Sequence, residues 1–121
     1  MIAESKLPLY RDLFNLLNGI LDMCKSYSKF FKMTVGERTV KECLDLMALF
    51  LRARNVRKNT EIVEEMDAKF EMVLVLFRAG VQQRVISEAQ YARFAVLLAN
   101  VGAQIADWRR ECHKRDASGE I

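Results

Sequence analysis

One proline and five glycines in 121 residues leave little of the punctuation that β-rich or disordered chains need, so a sandwich, a barrel or a flexible linker is poorly supported. Three cysteines, Cys24, Cys43 and Cys112, are odd in number and far apart, with no CxxC or CxxH pair. That argues against a disulfide framework or a structural zinc site and suits a reduced, cytoplasmic setting. Long apolar runs are also missing: LMALFL (46–51) and MVLVLF (72–77) are six residues each, against the roughly 20 that span a bilayer. The opening MIAESKLPLY lacks the apolar core of a secretory signal. The expectation is a soluble protein that does not engage membranes.

Chemistry-bearing residues are equally scarce. The single histidine, His113, adjoins Cys112, but neighbours on a helix point about 100° apart and cannot act as base and nucleophile together. Glu61, Glu64, Glu65 and Asp67 crowd one stretch, yet carboxylate-bridged metal bundles use Glu-x-x-His pairs, and this chain has none. No GxGxxG or GxxxxGK loop is present to cradle phosphates. The sequence therefore predicts no catalytic residue, no metal site, no cofactor and no small-molecule substrate.

What the chain has in plenty is helical periodicity, in a composition that is 51% hydrophobic and 29% charged. Four segments carry it. In the first, about 8–31, Leu13, Leu17, Ile20, Cys24, Tyr27 and Phe31 recur with a period of about 3.6, and Pro8 suits the first turn. The second, about 36–55, turns Val40, Cys43, Leu44, Met47, Phe50 and Leu51 inward, with Thr34 and Glu37 spaced as a capping box. The third, about 60–79, carries Val63, Met66, Phe70, Val73 and Phe77, with Gly80 placed for a C-terminal cap. The fourth, about 88–114, opens on a Ser87–Gln90 capping box. Its seam runs Tyr91, Phe94, Leu98, Val101, Ile105, Trp108 and Cys112, in alternating steps of three and four. Trp108 reads as a core plug, His113 as an exposed residue near a helix end, and 116–121 as a frayed tail. Short loops between helices of similar length predict one all-α domain over 1–121, an antiparallel up-down-up-down four-helix bundle.

Apolar surface exceeds what one such bundle can bury. Six consecutive apolar residues circle a helix completely, so Val75 and Leu76, or Leu49, are expected to face away from the seam and into a contact between subunits. A stripe of small residues, Ala92, Ala95, Ala99, Gly102 and Ala106, fits either a close helix pair inside the bundle or a subunit contact. These belts predict a homo-oligomer.

Charge is uneven although the net is only +3. Residues 35–58 hold six basic and three acidic groups, whereas 59–86 hold three and five. Arg52, Arg54, Arg57 and Lys58 close the second helix and Arg109, Arg110, Lys114 and Arg115 close the fourth. In an up-down-up-down bundle both clusters share one end, a positive pole able to engage nucleic-acid phosphates, unless they only complement helix dipoles and aid solubility. Sequence-specific readout has no motif to support it.

The stretches KMTVGERTVKECLDLMALFLRARN and VISEAQYARFAVLLANVGAQIADW carry a family resemblance. Thr34, Gly36, Glu37 and Arg38 open helix two, Arg52 to Arg54 close it, Arg78 falls late in helix three, Ser87, Gln90 and Tyr91 open helix four, and the Gly102-to-Trp108 spacing follows. In this order, from about Leu9 to Arg110, the chain resembles the Avd family, the accessory variability determinants of diversity-generating retroelements. That family is grouped with small four-helix bundle proteins encoded in 23S ribosomal RNA intervening sequences. The resemblance implies a non-enzymatic, ring-like homopentamer that partners a reverse transcriptase. It also implies nonspecific binding of RNA or DNA, with Arg52, Arg54, Arg57, Lys58, Arg78, Arg109 and Arg110 as candidate contacts. The alternative it leaves is an intervening-sequence-type bundle acting only on proteins.

Overall fold

Two apolar rows run along the first long helix, and only one of them is buried. In the computed structural model, which describes residues 4–119, a 3-10 turn (Glu4–Lys6) leads into α1 (Leu7–Cys24), with Pro8 in its first turn. Leu9, Leu13, Leu16, Ile20 and Met23 form the buried row. Leu17 and Cys24, expected inward, are only half-buried because they belong to the other row, Leu7, Tyr10, Phe14, Leu17 and Leu21. In that row Leu7, Phe14 and Leu21 are 51%, 50% and 42% exposed.

The first helix stops seven residues before the expected Phe31, and the break falls at 25–28. There the Ser26 hydroxyl donates to the Met23 carbonyl at 2.9 Å and Ser28 turns extended, with ψ 159°. A helical turn, Lys29–Phe31, and a π-helical turn, Lys32–Gly36, then run without a gap into α2 (Glu37–Ala53). The Thr34 capping box consequently does not form. Because helix precedes Glu37, no free first turn is left to cap, and the Thr34 hydroxyl donates one turn back, to the Phe30 carbonyl at 2.8 Å.

The buried face of α2 is Thr39, Glu42, Cys43, Leu46, Leu49, Phe50 and Ala53. It is rotated from the apolar face read in the sequence, so Leu44 and Leu51 are 50% and 37% exposed and Leu49, expected outward, sits in the core at 7%. The cause is Glu42. Its carboxylate points inward because Arg38 Nε (2.8 Å) and Lys69 Nζ (3.0 Å) meet it there. Burial alone pushes that carboxyl's pKa up, but the two cations outweigh burial and hold it below the usual range. A pattern built on apolar residues cannot see an acid that arrives with its partners.

In α3 (Thr60–Gln82) Val63, Met66, Phe70, Val73 and Phe77 are all buried. The helix continues past Gly80, which is no cap. Gly80 gives room to Ile86 instead: a Cβ there would lie 2.5 Å from Ile86 Cδ1. The left-handed residue at the helix end is Arg84, φ 61°. Val85 N–H donates to the Gly80 carbonyl (2.8 Å) and Arg84 N–H to that of Val81 (3.0 Å), the two bonds of a Schellman ending. An arginine held in this conformation is strained where glycine is not. Arg84→Gly is therefore expected to stabilise the fold by about 0.5–1 kcal/mol, a Tm rise of roughly 2–4 °C in calorimetry; an unchanged or lower Tm would count against the assignment.

The Ser87–Gln90 capping box opens α4 (Glu88–Ala117), with its two bonds at 3.0 and 2.9 Å. Leu98, Val101, Ile105, Trp108 and Cys112 are buried, while Tyr91 and Phe94 are half-buried against the core. Of the 116–121 stretch, Asp116 and Ala117 extend the helix, Ser118 and Gly119 turn, and 120–121 lie outside the described residues. The stripe of small residues divides. Gly102 serves the interior, where a Cβ would come within 2.9 Å of the Phe70 ring, whereas Ala92, Ala95 and Ala99 are exposed. Four long helices thus surround one apolar core, and the described residues contain no strand. Polar contacts tie the elements together: Lys6 joins the opening turn to Glu111 of α4 (2.9 Å), Asp12 with Gln104 (2.8 Å) joins α1 to α4, and Lys69 bridges to Glu42 and Asp45 across α2 and α3.

Candidate nucleic-acid interface

The link between α2 and α3, residues 54–59, carries Arg54, Arg57 and Lys58, and one buried amide fastens it. Asn59 is 6% exposed. Its side-chain N–H donates to the Ala53 carbonyl at 2.7 Å, closing the link on itself. Its oxygen accepts from Arg115 at 3.0 Å and from the Cys112 thiol at 3.4 Å, so α4 holds the link from the other side. Arg115 also donates to the Thr60 hydroxyl at 3.0 Å, and Thr60 in turn donates to Asp116, whose pKa that hydrogen bond lowers. The link is therefore a fixed platform.

Arg57 and Lys58 on that link, and Arg52 in the last turn of α2 just before it, are exposed and make no ion pair with any described residue. Arg54 is half-buried. The α4 cluster is adjacent but differently placed. Arg109 and His113 both meet Glu64 of α3, and Arg110 pairs with Asp107 one turn back. Hydrogen bonds from Arg109, then His113, hold the Glu64 carboxyl below the usual range, which means that the acid stays charged opposite them. A phosphate would compete with these carboxylates for Arg109 and Arg110, whereas Arg52, Arg57 and Lys58 stand ready. Arg78 is not gathered with the rest: it lies 14 residues along α3 from Glu64, about 21 Å. The charge pairing was missed in the sequence because Glu64, Arg109 and His113 are some 45–49 residues apart.

Elsewhere the arrangement offers little chemistry. Burial pushes the Cys43 thiol up to about 12 and raises those of Cys24 and Cys112, so all three are protonated near neutrality. His113 faces Glu64 and not Cys112. Among the described residues no cluster of His, Cys, Asp and Glu has the makings of a metal site, and no helix is long and apolar enough to cross a membrane. Of the three residues read as subunit contacts, Val75 is 49% exposed, Leu76 half-buried and Leu49 buried. The outward row of α1 escaped the sequence reading although it has helical spacing, whereas the small-residue stripe of α4 was read there, and Ala92, Ala95 and Ala99 of it are exposed.

Comparison with curated proteins and with solved structures gave no match. A family model described as bAvd-like matches residues 2–112, spanning α1, α2, α3 and all but the last turns of α4, so the chain belongs to the bAvd-like family.

Proposed function

We propose that the protein is a non-enzymatic accessory factor of a diversity-generating retroelement, working in the cytoplasm as a homo-oligomer, a pentamer by family resemblance, beside a reverse transcriptase and its RNA or DNA. Membership of the bAvd-like family carries this reading. The group of Arg52, Arg57 and Lys58 supports it, because three cations without an ion pair among the described residues, one closing α2 and two on the fastened link, suit a phosphate backbone. The contacts Lys6–Glu111 and Asp12–Gln104, with Gly19 against Phe94, support an antiparallel α1–α4 pair, since one number falls as the other rises. Thr60–Asp116, Glu64–Arg109 and Phe77–Phe94 do the same for α3 and α4. These contacts and the short links support the reading of an up-down-up-down bundle.

The test is equilibrium binding of labelled RNA and DNA over a salt series. Arg52→Glu/Arg57→Glu/Lys58→Glu is expected to remove most low-salt affinity and to reduce the slope of log K against log salt by about 2 to 3, one released counterion per lost contact. Arg109→Glu/Arg110→Glu should do less, since those cations already have carboxylate partners. If the unaltered protein binds no nucleic acid even at low salt, this reading fails. A protein-only bundle of the intervening-sequence type then takes its place, a reading that the neutralisation of Arg109 and Arg110 favours.

A further inference from the structure

The turn between α1 and α2 displays large apolar side chains to solvent where a loop is usually polar. Phe30 is 67% exposed and Met33 62%. Phe31, between them, is half-buried and packed on the core. Its ring stands edge-on to that of Phe30, with centroids 5.2 Å apart and an interplanar angle of 79°. The Phe30 ring is thus braced from beneath with its outer surface bare. Lys29 and Lys32 flank Phe30 in sequence and Lys32 adjoins Met33, so two lysines and two exposed apolar side chains share this short turn. Both lysines are exposed and form no ion pair with any described residue.

The backbone beneath is unusual. Lys32–Gly36 forms a π-helical turn, a rare conformation that is frequent at functional sites. Gly36 makes it possible: a Cβ there would lie 3.1 Å from the Phe31 carbonyl oxygen and 3.2 Å from the Tyr27 ring. The turn is therefore packed against its own support, and the exposure of Phe30 and Met33 is built in.

We infer that this turn is a stacking platform for single-stranded nucleic acid, an unpaired base lying on Phe30 and Met33 while Lys29 and Lys32 meet the adjoining phosphates. Charge selects the occupant: two free cations beside a flat ring suit a polyanion whose units each carry a π-face. A membrane surface suits it less, because interfacial binding draws on a long amphipathic helix and this apolar patch occupies barely one turn. The inference rests on the nucleic-acid reading above and adds a strand preference that the Arg52, Arg57 and Lys58 group, holding only backbone charge, does not supply.

The experiment uses the full chain with a short unstructured RNA and a duplex of equal length at one salt concentration. Phe30→Ala is expected to weaken single-strand binding about tenfold and to leave duplex binding unchanged, by the usual worth of one stacked base. Phe30→Trp should restore it, with tryptophan fluorescence quenched by the single strand. Lys29→Glu/Lys32→Glu should weaken both. Equal single-strand affinity for the unaltered protein and Phe30→Ala overturns the inference while leaving the backbone reading intact. So does a Phe30→Ala loss that comes with a lower Tm or a changed oligomeric mass, or Phe30-dependent binding to anionic vesicles without single-strand binding. Failure of the unaltered protein to bind either nucleic acid overturns both readings.

Discussion

A Phe14→Glu variant is expected to run as a monomer and the unaltered chain as an oligomer. The reason is a match between two uncovered helix faces. On α1 the outward row is bulky, Leu7, Tyr10, Phe14, Leu17 and Leu21, and the Tyr10 and Phe14 rings stack with their planes 16° apart. On α4 the exposed small residues Ala92, Ala95, Ala99 and Ala103 surround Val96, itself 69% exposed, with Arg93 and Asn100 beside them. Leu7 to Leu21 spans 14 residues, about 21 Å, and Ala92 to Ala103 spans 11, about 17 Å, so the two faces are of similar length. Bulky side chains of one copy fit the shallow face of the next, as ridges fit grooves. Because the two faces differ, such a contact would be heterologous and would repeat head to tail, closing a ring if the rotation allows. A carboxylate at position 14 would be buried without a partner in every such contact. Light scattering reads the mass, and unchanged circular dichroism separates dissociation from unfolding, as expected for a side chain half exposed in the single chain. With Cys24 replaced by serine, Phe14→Cys and Ala99→Cys chains should cross-link when mixed and remain single when kept apart. An unaltered chain that is itself monomeric, or a Phe14→Glu mass equal to it, would sink the proposal.

How far the sequence reaches differs from element to element. The α3 seam was legible because its five apolar residues have no polar rival on that face, and α4 was legible because Ser87 and Gln90 cap it with local chemistry alone. In α1 the reading mixed two interleaved rows. Both have spacings of three and four, and periodicity finds a row without saying which one is covered. In α2 the buried Glu42 rotated the true face away from the apolar one, and its partner Lys69 lies in another helix. Thr34 has the right spacing for a cap but follows a helical turn, a context set by Tyr27 and Phe31 packing beneath. The candidate interface was half legible. Basic residues can be located by inspection, but whether each is neutralised depends on acids brought near by folding, as Glu64 is to Arg109. The braced Phe30 ring was unreadable for the same reason, since one of two adjacent phenylalanines had to go inward and only packing decides which.

Phe50→Ala is expected to cost about 3–5 kcal/mol, the largest stability effect of any substitution considered. Phe50 is fully buried and stands between three helices: its ring lies 6.0 Å from that of Tyr10 on α1 and 5.9 Å, edge-on, from that of Trp108 on α4. Tyr10 and Trp108 are themselves held, Trp108 by Lys6 Nζ at 4.8 Å over its ring, so neither is free to collapse into the space and most of the cavity persists. Leu44→Ala on the same helix removes a comparable apolar side chain that is half exposed, and should cost about 0.5 kcal/mol or less. Urea unfolding checks both, with a shifted midpoint and unchanged slope for Phe50→Ala. A loss under about 1 kcal/mol would mean that the three-helix junction repacks freely. The consequence reaches the basic platform. Ala53, one turn after Phe50, offers the carbonyl that fixes Asn59, and Asn59 fixes the link that carries Arg57 and Lys58. Loosening the junction should therefore also weaken nucleic-acid binding at temperatures where the variant is still folded, although no charge has been removed; full retention of affinity would show that the platform stands without its aromatic support.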